Sequence, residues 1–280
     1  MTNQNQLTQS THPIQSSQSL QTLQSSFPVV EVCTGSYEDC LAAANGGADR
    51  VELNSALALG GLSPTEATLK AVKRDTDLQV ICMVRPRAAG FHYNDLEKKI
   101  MFEEARSFLA NGADGIAFGF LEEDGQIDQE ATRKMIDLIH HYGKEAVFHR
   151  AIDVTPDYEK AFEILCELGA DRVLTSGQMP KAMDGMPRIA AMQQKFGDQI
   201  QILAGSGMNA SNAKEMIEKT GIHQIHSSCK SYACDPTTTG NAVSYAYLEG
   251  AHHDDYDTVS ENLVRNLVGS LRPDHSSLKS

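Results

Sequence analysis

Residues 46–61 read GGADRVELNSALALGG, and the first eight of them return twice: as NGADGIAF at 111–118 and as LGADRVLT at 168–175. Each copy places a glycine just past a helical pattern, where a residue without Cβ can close the helix in the left-handed conformation. Ala-Asp follows, and then a short run with the apolar content of a strand. Asp49, Asp114 and Asp171 recur roughly every 50–65 residues, the length of two strand–helix units. TGIHQIHS at 220–227, with Ile222 and His223 at the Ala-Asp positions, reads as a fourth and divergent copy.

Working outward from this repeat, the strand candidates are VVEVC, RVELN, LQVICMVRP, GIAFGF, EAVFHR, RVLTS, QIQILAG and HQIHSS. A helical pattern follows each, from SYEDCLAAANGG near the start to DTVSENLVRNLVGSLR near the end. Eight such units predict an α/β chain folded as a single (β/α)8 TIM barrel over residues 27–280, with functional groups gathered where strands end and βα loops begin. An open doubly wound sheet fits less well, because no GxGxxG follows the first strand.

Residues 1–26, MTNQNQLTQSTHPIQSSQSLQTLQSS, hold too few apolar groups to offset the entropy of ordering them, and the expectation is a disordered polar tail. The first basic residue is Arg50, which argues against a secretory signal or a transit peptide. No apolar run approaches the ~18 residues of a membrane span. A net charge of −13 disfavours nucleic acid and anionic membranes as partners. Six scattered cysteines without CxxC or CxxH pairing suit a reducing compartment, and the expected location is cytoplasmic.

Side chains two apart on a strand share a face. This parity groups Glu31 with Cys33, Glu52 with Asn54, Met83 with Arg85, Val147 with His149, and His226 with Ser228. The opposite faces carry Val32, Val51, Leu53, Val84, Phe148 and Ile225, which suit packing against helices. Two acids, an arginine and two imidazoles therefore converge in the lumen, where they must neutralise one another or hold a ligand. One arrangement is a salt-bridged plug, with Glu31 or Glu52 facing Arg85. Another is a ligand site. The turn after strand 7 contains Gly205, Ser206 and Gly207, and strand 8 ends in Ser227 and Ser228, at the places where such barrels often hold phosphate. Beyond strand 5, Asp153 stands near enough in sequence to orient His149 as a proton-moving pair. The stretch RPRAAGFHYND at 85–95 is a long loop able to cover the barrel mouth or to form an oligomer contact.

EVC at 31, GGADRVEL with SALALGGLSPT at 46–65, MVRPR at 83, DGIAFG at 114, FHRAID at 148 and RVLTSG at 172 occur together in this order. In these motifs the chain resembles the CutC copper-homeostasis family. The resemblance implies a cytoplasmic TIM barrel that forms homo-oligomers, dimers or tetramers, with a link to copper tolerance, Cu(I) binding in some members and no securely assigned reaction. It also implies that the ends of strands 1 and 2 often both carry cysteine. Here Cys33 keeps the first place and Asn54 stands in the second. Cu(I) prefers soft sulfur ligands, so Cys33 with Met83 is the expected metal pair. Three readings stay open. The first is a copper-binding protein. The second is an enzyme acting on a small anionic or phosphorylated substrate, with Glu31, Glu52, Arg85, His149 and Asp153 as its chemical groups and Gly205, Ser206, Gly207 and Ser227 seating the anion. The third is a scaffold whose polar lumen is structural.

Overall fold

The computed structural model describes residues 27–272; the polar tail read over residues 1–26 lies outside them. Eight parallel strands close into a barrel in sequence order: β1 Val29–Thr34, β2 Arg50–Leu53, β3 Gln79–Met83, β4 Gly115–Phe118, β5 Glu145–Phe148, β6 Arg172–Thr175, β7 Gln201–Ala204 and β8 Gln224–Ser227, with β8 paired to β1. The helices wrapped outside it are α1 Tyr37–Asn45, α2 Glu66–Asp75, α3 Asp95–Ala110, α4 Gln129–His141, α5 Tyr158–Leu168, α6 Ala182–Phe196, α7 Ala213–Thr220 and α8 Glu261–Leu271. The expected (β/α)8 barrel is the observed fold.

The repeated Ala-Asp is a clamp at the base of the barrel. Asp49 donates its amide to the carbonyl of Val30, accepts the Val30 amide on its carboxylate at 2.8 Å, and offers its own carbonyl to Gln79 on the next strand. Asp114 does the same for Val80 and Glu145, its carboxylate 2.9 Å from the Val80 amide. Asp171 does so for Ala146 and Gln201, with its carboxylate at 2.7 Å. Each clamp joins three successive strands. In the divergent copy the carbonyl of His223 accepts from Val29, so its main chain still joins β8 to β1.

Two separate apolar clusters follow from strand parity. Val30, Val32, Val51, Leu53, Val80, Val84, Phe118, Phe148 and Ile225 are fully buried against the helix layer in one continuous core. Ile81, Met83, Ala117 and Val147 form a second, smaller cluster inside the lumen.

The sequence reading departs from the structure after β8. Residues 257–259, read as the start of the last helix, instead belong to β10 Asp255–Val259, which pairs antiparallel with β9 Lys230–Cys234. The alternating exposure of KSYAC is a two-stranded pattern lying outside the barrel. Helix α8 begins only after Ser260, whose side chain accepts from the Leu263 amide. The His252–Asp255 stretch forms local pairs, His252 with Asp255 at 2.6 Å and His253 with Asp254 at 2.9 Å.

Asp114 offers a direct test of the clamp. Burial works against its charge, but Lys73, the Val80 amide and Lys144 hold its pKa below the usual carboxylate value. Replacing it with alanine strands a buried amide, and Asp114→Ala is expected to lose about 1–3 kcal/mol in urea unfolding at pH 7. Because the folded pKa is depressed, this contribution is complete above the unfolded value of about 3.9 and disappears as pH falls through the folded value. The stability gap between wild type and variant should therefore narrow below about pH 4, and a gap that widens there would contradict the clamp.

Candidate functional site

The floor of the lumen is an ionic layer. Arg50 donates from Nε to Glu31 and from Nη2 to Gln224 at 2.6 Å, while Arg172 donates to Glu145 at 2.9 Å and to Gln201 at 3.3 Å. Burial would raise the Glu31 pKa, but the Arg50 guanidinium and the bond from His226 hold it far below the carboxylate range. Glu31 is thus committed below the site rather than exposed in it. The plug foreseen between Glu31 or Glu52 and Arg85 does not form: Glu31 pairs with Arg50, and the Arg85 guanidinium is held by main-chain carbonyls. Arg50 and Arg172 were legible by parity, since each opens its strand two positions before a lumen residue, Glu52 or Leu174.

Above the floor, β1, β2 and β8 bring three ligand-type atoms together. Cys33 Sγ, a Glu52 carboxylate oxygen and a His226 ring nitrogen lie within 4.8 Å of one another. Parallel pairing sets Cys33 opposite Glu52 and Glu31 opposite His226. His226 Nδ1 donates to Glu31 at 2.7 Å, which leaves Nε2 as the ring nitrogen free to meet the thiol. Burial pushes the Cys33 thiol pKa up. Burial also raises Glu52, aided by the Glu31 charge and opposed by His226. Burial disfavours the His226 charge, yet hydrogen bonds to Cys33 and Glu31 together with the Glu52 charge carry its pKa well above normal. Asn54, at the end of β2, is a neighbour of this cluster: its Nδ2 donates to Glu52 at 3.0 Å and approaches Cys33 Sγ at 3.6 Å.

A cavity of ≈ 290 Å³ opens over the cluster, lined by Cys33, Glu52, Met83, Arg85, His149, His226 and Ser228 among others. Parity thus placed these residues correctly, but several expected pairings are absent. Glu52 does not face Arg85; it bonds to Asn54 and Cys33, while Arg85 is taken up by loop carbonyls. Asp153 does not orient His149. It lies in the turn after β5 and binds Arg150 at 2.8 Å, Thr175 at 2.6 Å and the amides of Ser176 and Gln178, so it ties β5 to the loop after β6. His149 Nδ1 instead accepts from the Ala151 amide, and burial with the Arg85 charge pushes its pKa down to about 3. Held that low, the ring is neutral near pH 7.

Met83 packs in the apolar lumen cluster with Ile81, Ala117 and Val147. The thiol's immediate partners are Glu52 and His226. In the expected anion seat, Ser206 and Gly207 line the cavity. However, the Ser206 hydroxyl donates to the Pro180 carbonyl at 2.6 Å and the Ser227 hydroxyl to that of Met208 at 2.7 Å. Ser227 is turned from the lumen because it has the opposite parity to His226 and Ser228. Gly205 packs against Leu174 and His226, where a Cβ would lie 2.7 Å from Leu174 Cδ1. Lys230 and Arg150 also line the cavity but lie beyond the eight barrel strands, where lumen parity does not reach.

These features define the class: a (β/α)8 barrel whose C-terminal mouth holds a cavity over a thiol–carboxylate–imidazole cluster. The chain belongs to the CutC family, whose model matches residues 28–231. It is 48% identical over 216 residues to a family protein CutC of Treponema denticola, covering 77% of this chain and 87% of that one. It is 37% identical over 203 residues to the human copper homeostasis protein cutC homolog, covering 72% of this chain and 74% of that one. A crystal structure of a CutC protein from Streptococcus agalactiae superposes with a TM-score of 0.68 at 30% identity, over 72% of this chain and 98% of that one. Phosphoribosyl anthranilate isomerase from Thermococcus kodakaraensis, at 15% identity and a TM-score of 0.51 over 88% of this chain and 100% of that one, shares the barrel alone.

The floor layer generates a stability prediction. Arg50→Met leaves Glu31 buried without its guanidinium and is expected to cost about 3–5 kcal/mol in chemical unfolding. Glu31→Leu combined with Arg50→Met removes both charges and should recover much of that loss. Additive losses in the double variant would refute the pairing.

Proposed function

We propose that this protein handles copper in the cytoplasm, binding it in the lumen through Cys33 with His226 and Glu52. The observation that carries the reading is the 4.8 Å cluster of a thiol, an imidazole and a carboxylate at the base of an accessible cavity. Membership of a family that includes a human protein named for copper homeostasis supports the choice of metal.

The donor set fits the ion. Thiolate is the soft ligand Cu(I) prefers, and imidazole suits copper in general; the carboxylate of Glu52 is the hardest member and the least suited to Cu(I). The protein's contribution is positional. Glu31 fixes the His226 ring through Nδ1, the usual way an outer carboxylate orients a metal-binding histidine. Asn54 directs the Glu52 carboxylate by its amide. With all six cysteines free, a reducing cytoplasm would keep Cys33 available as a thiol. No helix among the described residues is long and apolar enough to cross a membrane.

Competition between the reduced protein and a Cu(I) chelator tests the proposal. Wild type should take up stoichiometric Cu(I), and Cys33→Ser should weaken uptake by at least about tenfold. Asn54→Cys sets a second sulfur beside Cys33 and should strengthen it, because thiolate outcompetes amide for a soft ion. Equal affinity in wild type and Cys33→Ser would remove the lumen site from consideration.

A further inference from the structure

A second group of donors in the cavity has no part in the copper reading. Arg85 is 6% exposed, and main-chain carbonyls hold its guanidinium: Nη1 donates to Leu59 at 3.2 Å and to Gly61 at 3.0 Å, and Nη2 to Ala89 at 2.6 Å. No carboxylate pairs with it among the described residues; its buried Nε–H makes no hydrogen bond there, and the Tyr93 hydroxyl that interacts with the guanidinium is neutral and likewise makes none. Carbonyl dipoles orient the cation without neutralising it. A buried charge in that condition favours an anion beside it.

His149 is 3% exposed and presents a matching group. Its Nδ1 accepts the Ala151 amide at 3.2 Å, so that nitrogen is bare and the proton of the neutral ring sits on Nε2. The Nδ1–Cε1 edge is packed against Gly119, where an added Cβ would stand 2.7 Å from Nδ1 and 2.5 Å from Cε1. The other edge therefore belongs to the lumen, and its Nε2–H is buried without an acceptor among the described residues. Phe91 from the loop after β3 touches both groups, with its ring centroid 4.9 Å from that of His149 and 5.1 Å from Arg85 Cζ.

An uncompensated guanidinium N–H and a neutral imidazole N–H on one cavity wall both call for a negatively charged oxygen. We infer that this wall binds the carboxylate of a small organic acid, its oxygens accepting from Arg85 Nε and His149 Nε2. Phe91, Met83, Leu57 and Leu174 line the same cavity and offer apolar contact to the carbon body. A carboxylate fits better than a phosphate, because the hydroxyls of Ser206 and Ser227 near the usual phosphate position are spent on carbonyls. The cavity of ≈ 290 Å³ restricts the ligand to a small acid. This inference stands independently of copper at Cys33.

The test is calorimetric titration of the full chain with acetate, pyruvate, malonate and inorganic phosphate, with a chelator present so that metal plays no part. At least one of the three acids should bind saturably. His149→Phe keeps a ring but removes the donor and should weaken that binding by about tenfold or more, while His149→Gln, which restores an N–H, should recover part of it. Three results would overturn the inference: no acid binding at millimolar concentration, phosphate as the sole ligand, or acid binding unchanged in a folded His149→Phe protein. Should that variant fail to fold, imidazole ¹⁵N spectra of the wild type decide the matter. The His149 Nε2 resonance must shift when the acid is added while Nδ1 stays unprotonated, and an unmoved Nε2 refutes the contact.

Discussion

The clamp made by each Ala-Asp pair sets the register on which the rest of this barrel depends. An aspartate that returns the hydrogen bonds of one strand and passes its carbonyl to the next leaves the strand ends no freedom to slide. Register matters here because the side-chain period is two: a slip of one residue would turn every lumen group into the helix layer. Cys33 would exchange places with Val32, and Glu52 with Val51 or Leu53. The site is built on that arithmetic, which is why aspartates that line no part of the cavity still decide where function can sit.

With register settled, the lumen resolves into layers of different character. The floor consumes its charges internally, Glu31 with Arg50 and His226, Arg172 with Glu145. Glu31 links this floor to the layer above, since the carboxylate that balances Arg50 also fixes the ring of His226. Above it, the thiol, carboxylate and imidazole share one side of the lumen, and the apolar Ile81, Met83, Ala117 and Val147 fill another. At the mouth, Arg85 and His149 line the cavity, each with a buried N–H that makes no hydrogen bond among the described residues. One cavity thus presents a thiol, carboxylate and imidazole on one side and two N–H donors at its mouth.

Much of this is legible in the sequence. Strand parity alone assigned Cys33, Glu52, Met83, Arg85, His149, His226 and Ser228 to one surface, and all seven line the cavity. What parity could not tell was which of them touch. Glu52 and Arg85 have opposite charges and share the lumen, but the loops after β2 and β3 reach the guanidinium first with carbonyl groups. Asp153 lies four residues from His149, yet the turn between them directs it to Thr175 and Ser176 on the neighbouring strand's loop. The β9–β10 pair leaves no clear signal in the sequence because DYDTV continues directly into a strong helical pattern.

The sequence by itself determined the eight-unit barrel, the division between lumen and helix layer, and the identity of the polar groups inside, because periodicity and burial are local properties of the chain. The tertiary structure decided the partners: Arg50 rather than Arg85 for Glu31, Asn54 rather than Arg85 for Glu52, Glu52 and His226 beside Cys33, a main-chain amide rather than Asp153 for His149. Those choices depend on distances of a few ångströms between strands remote in sequence, and on loops whose carbonyls compete for the same donors. No pattern within a single strand carries that information.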